Sequence, residues 1–123
     1  MKKAAKHILV SKKWDIVRCM TEGSLTRILA ELGSNLARED LQQIECDCQN
    51  HGVIAATETL IDCLKTLDDS AFTRFLFSLR NCKQTQGLHA VLEEQCKHAG
   101  LQDLLPGTTA SRHITRGLSW LIL

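Results

Sequence analysis

The sequence contains no tyrosine, a single proline at position 106 and no apolar run that approaches the ~18 residues of a membrane helix. Because proline breaks helices, its absence from the first 105 residues favours a helical chain. No segment alternates apolar and polar residues with period two, so strands find no support. The seven glycines fall at predicted helix ends and in the C-terminal stretch, and none forms a phosphate-binding loop. These absences predict one all-α domain without membrane insertion.

The chain also lacks a secretory signal, and this decides how its six cysteines are interpreted. An even cysteine count fits a disulfide framework in a secreted protein. Here the N-terminal lysines are followed by only a short apolar run, and several cysteines lie on apolar helix faces. We therefore expect reduced, structural thiols and a cytoplasmic location.

The net charge of +1 hides a segregation of charge along the chain. Residues 1–27 carry a net +5, residues 28–69 carry −7 and residues 70–123 carry +3. A chain with basic ends and an acidic middle can present faces of opposite sign. Such faces favour self-association or pairing with a similar module.

Two amphipathic helices between residues 52 and 82 are the strongest pattern in the chain. Leu60, Ile61 and Leu64 mark the apolar face of the first, and Phe72 and Phe75 mark that of the second. A polar break of good N-cap residues, 66–70, separates them. We expect the two helices to form an antiparallel hairpin that the remaining helices cover.

The covering helices are predicted at about 4–20, 24–33, 34–52 and 85–98. The first is kinked or in two pieces, with Val10, Trp14 and Val17 on its core face and Ile16 off it.

Side chains at the predicted ends and faces of the later helices refine these boundaries. Ser24 caps the second helix, and Ser34 or Asn35 starts the third. In the sixth, Leu88 and Val91 belong to the apolar face. Three further leucines, at 101, 104 and 105, extend the packing.

Candidate chemistry is weak. Cys46, Cys48 and His51 suggest zinc, but two thiols at i and i+2 of a helix point about 200° apart and cannot share one ion. A cysteine–histidine nucleophile lacks the strand–turn–helix elbow and oxyanion loop that such a site uses. We expect no catalytic residue, metal or cofactor, and a redox- or metal-responsive thiol protein is the lesser alternative. Nucleic-acid binding through the basic N-terminus is the main alternative, although Trp14 is the only aromatic residue there.

Four motifs carry a family resemblance over about residues 4–98. They read L-x-x-I-L-x-x-L from Leu25, E-D-L-x-x-I from Glu39, G-x-x-A-x-x-x-L-x-x-C-L from Gly52 and A-F-x-x-F-L-x-x-L-R from Ala71. With six short helices and a kinked first one, the chain resembles a caspase recruitment domain (CARD). The segment 41–79 looks nearest to the CARDs of cytosolic RNA-sensing helicase receptors and their mitochondrial antiviral adaptor. CARDs of leucine-rich-repeat receptors and initiator caspases are close rivals.

The resemblance implies a six-helix antiparallel Greek-key bundle of the death fold over residues 1–98. Residues 99–123 would form a flexible tail or an alternative C-terminus. Ala37 departs from the family pattern, where a Ser or Thr often precedes the acidic pair. Such domains are not enzymes; they bind other CARDs and often form filaments that recruit caspases, kinases or adaptors. The expected partner is the CARD of a receptor, adaptor or caspase.

One recurring contact of that family pairs a basic surface with an acidic one, and the resemblance places both on this chain. The basic surface consists of Lys12, Lys13, Arg18 and Lys65. The acidic surface consists of Glu31, Glu39, Asp40, Glu45 and Asp47. The implied function is that of a signalling adaptor or regulator in innate immunity or apoptosis. A CARD-only decoy or a truncated receptor fits this role.

Overall fold

The computed structural model describes residues 1–105, and in that range every regular element is helical. The α-helices are α1 (Lys3–Ser11), α2 (Lys13–Cys19), α3 (Glu22–Leu32), α4 (Arg38–His51), α5 (Val53–Leu64), α6 (Asp69–Arg80) and α7 (Gln86–His98). Short 3-10 turns follow α6 and α7, at Lys83–Thr85 and Gln102–Leu104. None of these helices is both long and apolar enough to cross a bilayer. The predicted all-α bundle of six helices is confirmed, with α1 and α2 as the two pieces of its first helix.

The core face of the first helix differs from the sequence prediction. Ile16 is fully buried, whereas Val10 and Trp14 are 54% and 59% exposed. The helix breaks at Lys12, yet α1 and α2 keep one common buried stripe. Its members are Ala5, Ile8, Leu9, Ile16, Val17 and Met20, so of the three predicted core residues only Val17 is confirmed. This stripe follows the helical period and contains more apolar side chains than the competing one, so Trp14 is left in solvent.

The starts of α3 and α4 were also predicted wrongly. Thr21, not Ser24, caps α3: its Oγ1 accepts a hydrogen bond from the Ser24 backbone N–H at 3.1 Å. Ser24 itself is buried, with its hydroxyl 2.9 Å from that of Thr21. The segment from Gly33 to Leu36 is a turn, and α4 begins only after Ala37, which provides no side-chain cap.

The apolar stripes of α5 and α6 are confirmed. The buried side chains of α5 are Ala56, Thr57, Leu60, Ile61 and Leu64, and the apolar ones of α6 are Ala71, Phe72, Phe75, Leu76 and Leu79. The predicted hairpin between these helices is wrong, however. The backbone of α5 packs mainly against α4 and α2, and that of α6 against α3 and α7. Helices α5 and α6 therefore contribute to the same core from separate places.

The most extensive helix packing in the bundle is that of α4 with α5, and a single glycine connects these two helices. Gly52 has φ 94° and ψ 175°, a backbone conformation that is essentially restricted to glycine. Its N–H donates to the Cys48 carbonyl and closes α4. The chain thus reverses direction in one residue, and α5 returns along α4.

The last helix packs differently from the prediction at one position. Val91 is 44% exposed, and His89 is buried in its place. Burial lowers the pKa of His89, so its neutral form is favoured. Leu101, Leu104 and Leu105 are buried in the core, as predicted. The predicted tail beyond residue 105 lies outside the described residues.

We expect Ile16→Ala to lower the free energy of unfolding by about 2–4 kcal/mol, because it leaves a cavity in the core. Trp14→Ala should change it by less than about 0.5 kcal/mol, because that side chain is mainly in solvent. Urea denaturation of the full chain, followed by circular dichroism, measures both. An equal loss for the two variants would place Trp14 in the core and contradict this assignment.

Gly52→Ala should lower the free energy of unfolding by about 1–3 kcal/mol, because alanine is strained at this φ and ψ. Gly87→Ala is the matched control. Gly87 lies within α7 with open space around it, so alanine there should stabilise the fold by about 0.5–1 kcal/mol. Effects of the same sign at both positions would show that the backbone at Gly52 is not the cause.

Candidate protein-interaction surfaces

The structure brings Lys13 and the helix that precedes Lys65 together on one side of the bundle. Helix α2 packs against α5, and the Lys13 Nζ lies 3.2 Å from the Glu58 Oε2 across this contact. Lys12 occupies the break between α1 and α2, and Lys65 follows the last residue of α5. We call Lys12, Lys13, Arg18 and Lys65 the basic face.

Most of the positive charge on the basic face is paired within the chain. Lys13 pairs with Glu58, Arg18 with Asp15, and Lys65 with Asp62, where the Lys65 Nζ lies 3.2 Å from the Asp62 Oδ1. Lys12 is the one member for which the described part of the chain provides no ion pair. Sequence counting therefore overstates the net charge that this face presents to a partner.

The acidic side chains show the opposite behaviour. Glu31 lies on α3, Glu39 and Asp40 lie in the first turn of α4, and Glu45 follows one turn later. No lysine or arginine within residues 1–105 forms an ion pair with any of them. We call these four, together with Asp47, the acidic face. Its charge is largely uncompensated.

Asp47 differs from the other acidic residues because it points towards α5. Its Oδ2 accepts a hydrogen bond from the Thr59 hydroxyl at 2.6 Å, and its Oδ1 accepts one from Gln43 at 2.9 Å. The bond from Thr59, with a smaller contribution from Gln43, lowers the pKa of Asp47. Asp47 thus fastens α4 to α5 and has less freedom to meet a partner.

Sequence reasoning missed two exposed apolar side chains beside the basic face. Trp14 is 59% exposed, and the Lys13 Nζ lies 5.4 Å from the centre of its ring. Ile54 is 56% exposed and lies one turn before Glu58 on α5. The signal for Trp14 was present in the sequence, because a tryptophan on the weaker of two stripes is a candidate for the surface.

A groove of about 540 Å³ lies between α3 and α4, beside the acidic face. Its apolar lining comes from Leu25, Leu29, Ala30, Leu41 and Cys48. Two carboxylates, those of Glu22 and Glu45, also line it. The groove combines an apolar floor with negative charge.

Within residues 1–105 the cysteine thiols form no metal-binding cluster, and two of them have a raised pKa. No cluster of three or more histidine, cysteine or acidic side chains there could hold a metal ion. Burial raises the pKa of Cys63, with Asp40 and Asp62 adding to the effect. Burial also raises the pKa of Cys96 to about 11, so both thiols are poor nucleophiles at neutral pH.

The lysines of the nucleic-acid alternative are partly engaged as well. The Lys2 Nζ lies 3.1 Å from the Asp103 Oδ2, and Lys13 is paired with Glu58. On α6, Phe77 is 36% exposed, and the Arg80 guanidinium lies 5.2 Å from its ring centre.

Comparison with known proteins gives one match. The family model described as caspase recruitment domain matches residues 6–103, which is most of the chain. No curated protein and no solved structure matches significantly, so the resemblance to particular receptor or adaptor CARDs stays a prediction. The match begins within α1 and ends within the 3-10 turn that carries Leu104, so it includes most of α1 and all of α2 to α7. On this evidence, with the all-helical bundle and its broken first helix, the chain belongs to the caspase recruitment domain family.

Proposed function

We propose that the chain is a non-enzymatic signalling adaptor or regulator that associates head-to-tail with other CARDs, through its acidic and basic faces. The family is one of protein-interaction domains, and its members associate with other CARD-containing proteins. The observation that carries the proposal is the uncompensated charge of Glu31, Glu39, Asp40 and Glu45 on α3 and α4. Negative charge that residues 1–105 do not neutralise is available for a partner.

The paired lysines and arginine of the basic face are compatible with this role. The side chains of Arg18 and Asp62 are 71% and 67% exposed. Exposed ion pairs contribute only about 0–1 kcal/mol each, so an internal pair can be exchanged for one across an interface at little cost. Two complementary faces on different helices make a head-to-tail contact, which continues into an open assembly unless its rotation closes.

In cellular terms, we propose a cytoplasmic role in innate immunity or apoptosis, with a receptor, adaptor or caspase CARD as the partner. A regulator that competes for CARD assembly and an adaptor that promotes it would use the same two faces.

Reversing charge on either face should weaken association. Lys12 is the better probe of the basic face, because Lys13→Glu would also set two carboxylates against each other at Glu58. We expect Lys12→Glu and Glu39→Lys each to weaken self-association, or binding to a CARD partner, about three- to tenfold. Light scattering and pull-down with the full chain measure this, and higher salt should weaken the wild type in the same way.

Glu94→Lys is the control, since Glu94 is an exposed acid on α7, a helix that carries no residue of either face. If neither reversal alters association with any CARD, the assignment of the faces is wrong. Nucleic-acid binding that weakens steeply with salt and needs Lys3 and Lys6 would favour the alternative function instead.

A further inference from the structure

The exposed tryptophan on α2 has the features of a binding anchor. Trp14 holds 59% of its surface in solvent, and Lys13 lies beside its ring. Arg18, one turn further along α2, is also exposed. Tryptophan within a polar surround is the residue type most enriched among those that dominate binding energy at interfaces. Trp14 therefore provides an apolar projection next to two cations, Lys13 and Arg18, whose ion pairs within the chain can be exchanged for pairs with a partner.

The α3–α4 groove has the complementary features. Its apolar lining includes Leu29, Leu41 and Cys48, and carboxylates of Glu22 and Glu45 flank this lining. A volume of about 540 Å³ is within the range of small-molecule sites and has room for one indole ring. The groove thus provides an apolar binding surface next to negative charge.

Within one chain the two features do not meet. Helix α2 packs mainly against α5, α7 and α1, whereas the groove is formed by α3 and α4. Charge decides which occupant fits: an apolar side chain flanked by Lys13 and Arg18 matches an apolar groove flanked by Glu22 and Glu45. A second copy of this chain carries that combination.

We propose that Trp14 of one copy inserts into the α3–α4 groove of a second copy and supplies the apolar anchor of the self-association. The inference rests on the proposed head-to-tail contact, which it deepens, because the anchor and the basic face share α2 while the groove and the acidic face share α3 and α4. The charged residues then fix orientation, and Trp14 supplies most of the affinity.

The test uses two variants of the full chain. Trp14→Ala removes the anchor and leaves the groove. Ala30→Arg fills the groove from an exposed position and leaves the anchor. We expect each to weaken self-association by about tenfold or more, measured by sedimentation velocity, with unchanged circular dichroism.

Mixing the two variants gives the decisive result. The Trp14 of the Ala30→Arg variant can still enter the groove of the Trp14→Ala variant, so the mixture should form a 1:1 dimer that does not grow further. Val91→Ala, which removes an exposed apolar side chain from α7, is the control and should associate as the wild type does.

Three results would overturn the inference. If Trp14→Ala associates as the wild type does while Lys12→Glu and Glu39→Lys weaken association, Trp14 is not the anchor but the proposed function still holds. Loss of association in both variants without a dimer in the mixture would show that Trp14 and the groove do not meet. If Trp120→Ala weakens self-association and Trp14→Ala does not, the C-terminal segment of the chain occupies the groove instead. If the charge reversals and Trp14→Ala are all without effect, the proposed function fails as well.

Discussion

The one-residue reversal at Gly52 is the constraint on which both interaction surfaces depend. It places α5 directly against α4, and the hydrogen bond from the Thr59 hydroxyl to Asp47 joins the two helices. Helix α5 then holds α2 through packing and the Lys13–Glu58 pair. The acidic helix and the basic helices are therefore positioned relative to each other through α5. A change in the turn at Gly52 would shift the geometry of both faces together.

The structure changes what the charges of this chain can do. The counts along the sequence suggest a strongly basic end facing a strongly acidic middle, but Asp15, Glu58 and Asp62 neutralise most of the basic face locally. Each exposed pair contributes only about 0–1 kcal/mol, so charge alone makes a weak interface. Charges of this kind steer encounter and fix register, and affinity has to come from buried apolar surface.

The buried faces of α5 and α6 could be predicted from the sequence because each of these helices has only one mainly apolar face. The stripes of α5 and α6 are fully buried, and no competing face in either helix has as many apolar side chains. In the first helix two apolar stripes compete, one with Trp14 and one with Ile16, and the structure buries the stripe of Ile16, which has more apolar residues. Near Thr21 and near Ser34, several residues could cap a helix, so the sequence does not define where α3 and α4 begin. Burial of Leu36 in the core places the turn before α4. The groove and the Lys13–Glu58 pair join segments far apart in sequence, so no local pattern indicates them.

The error at Trp14 is informative because stability and binding place different demands on one residue. A large aromatic side chain that packed in the core would be needed for folding and would be unavailable to a partner. The helix instead closes the core with Ile8, Leu9 and Ile16, so the fold does not require Trp14. Leaving so large an apolar surface in water opposes solubility and offers the folded monomer no packing energy in return. That cost is recovered when the ring is buried against a partner, which is the physical reason to look for the function of this chain at α2 rather than in its charges alone.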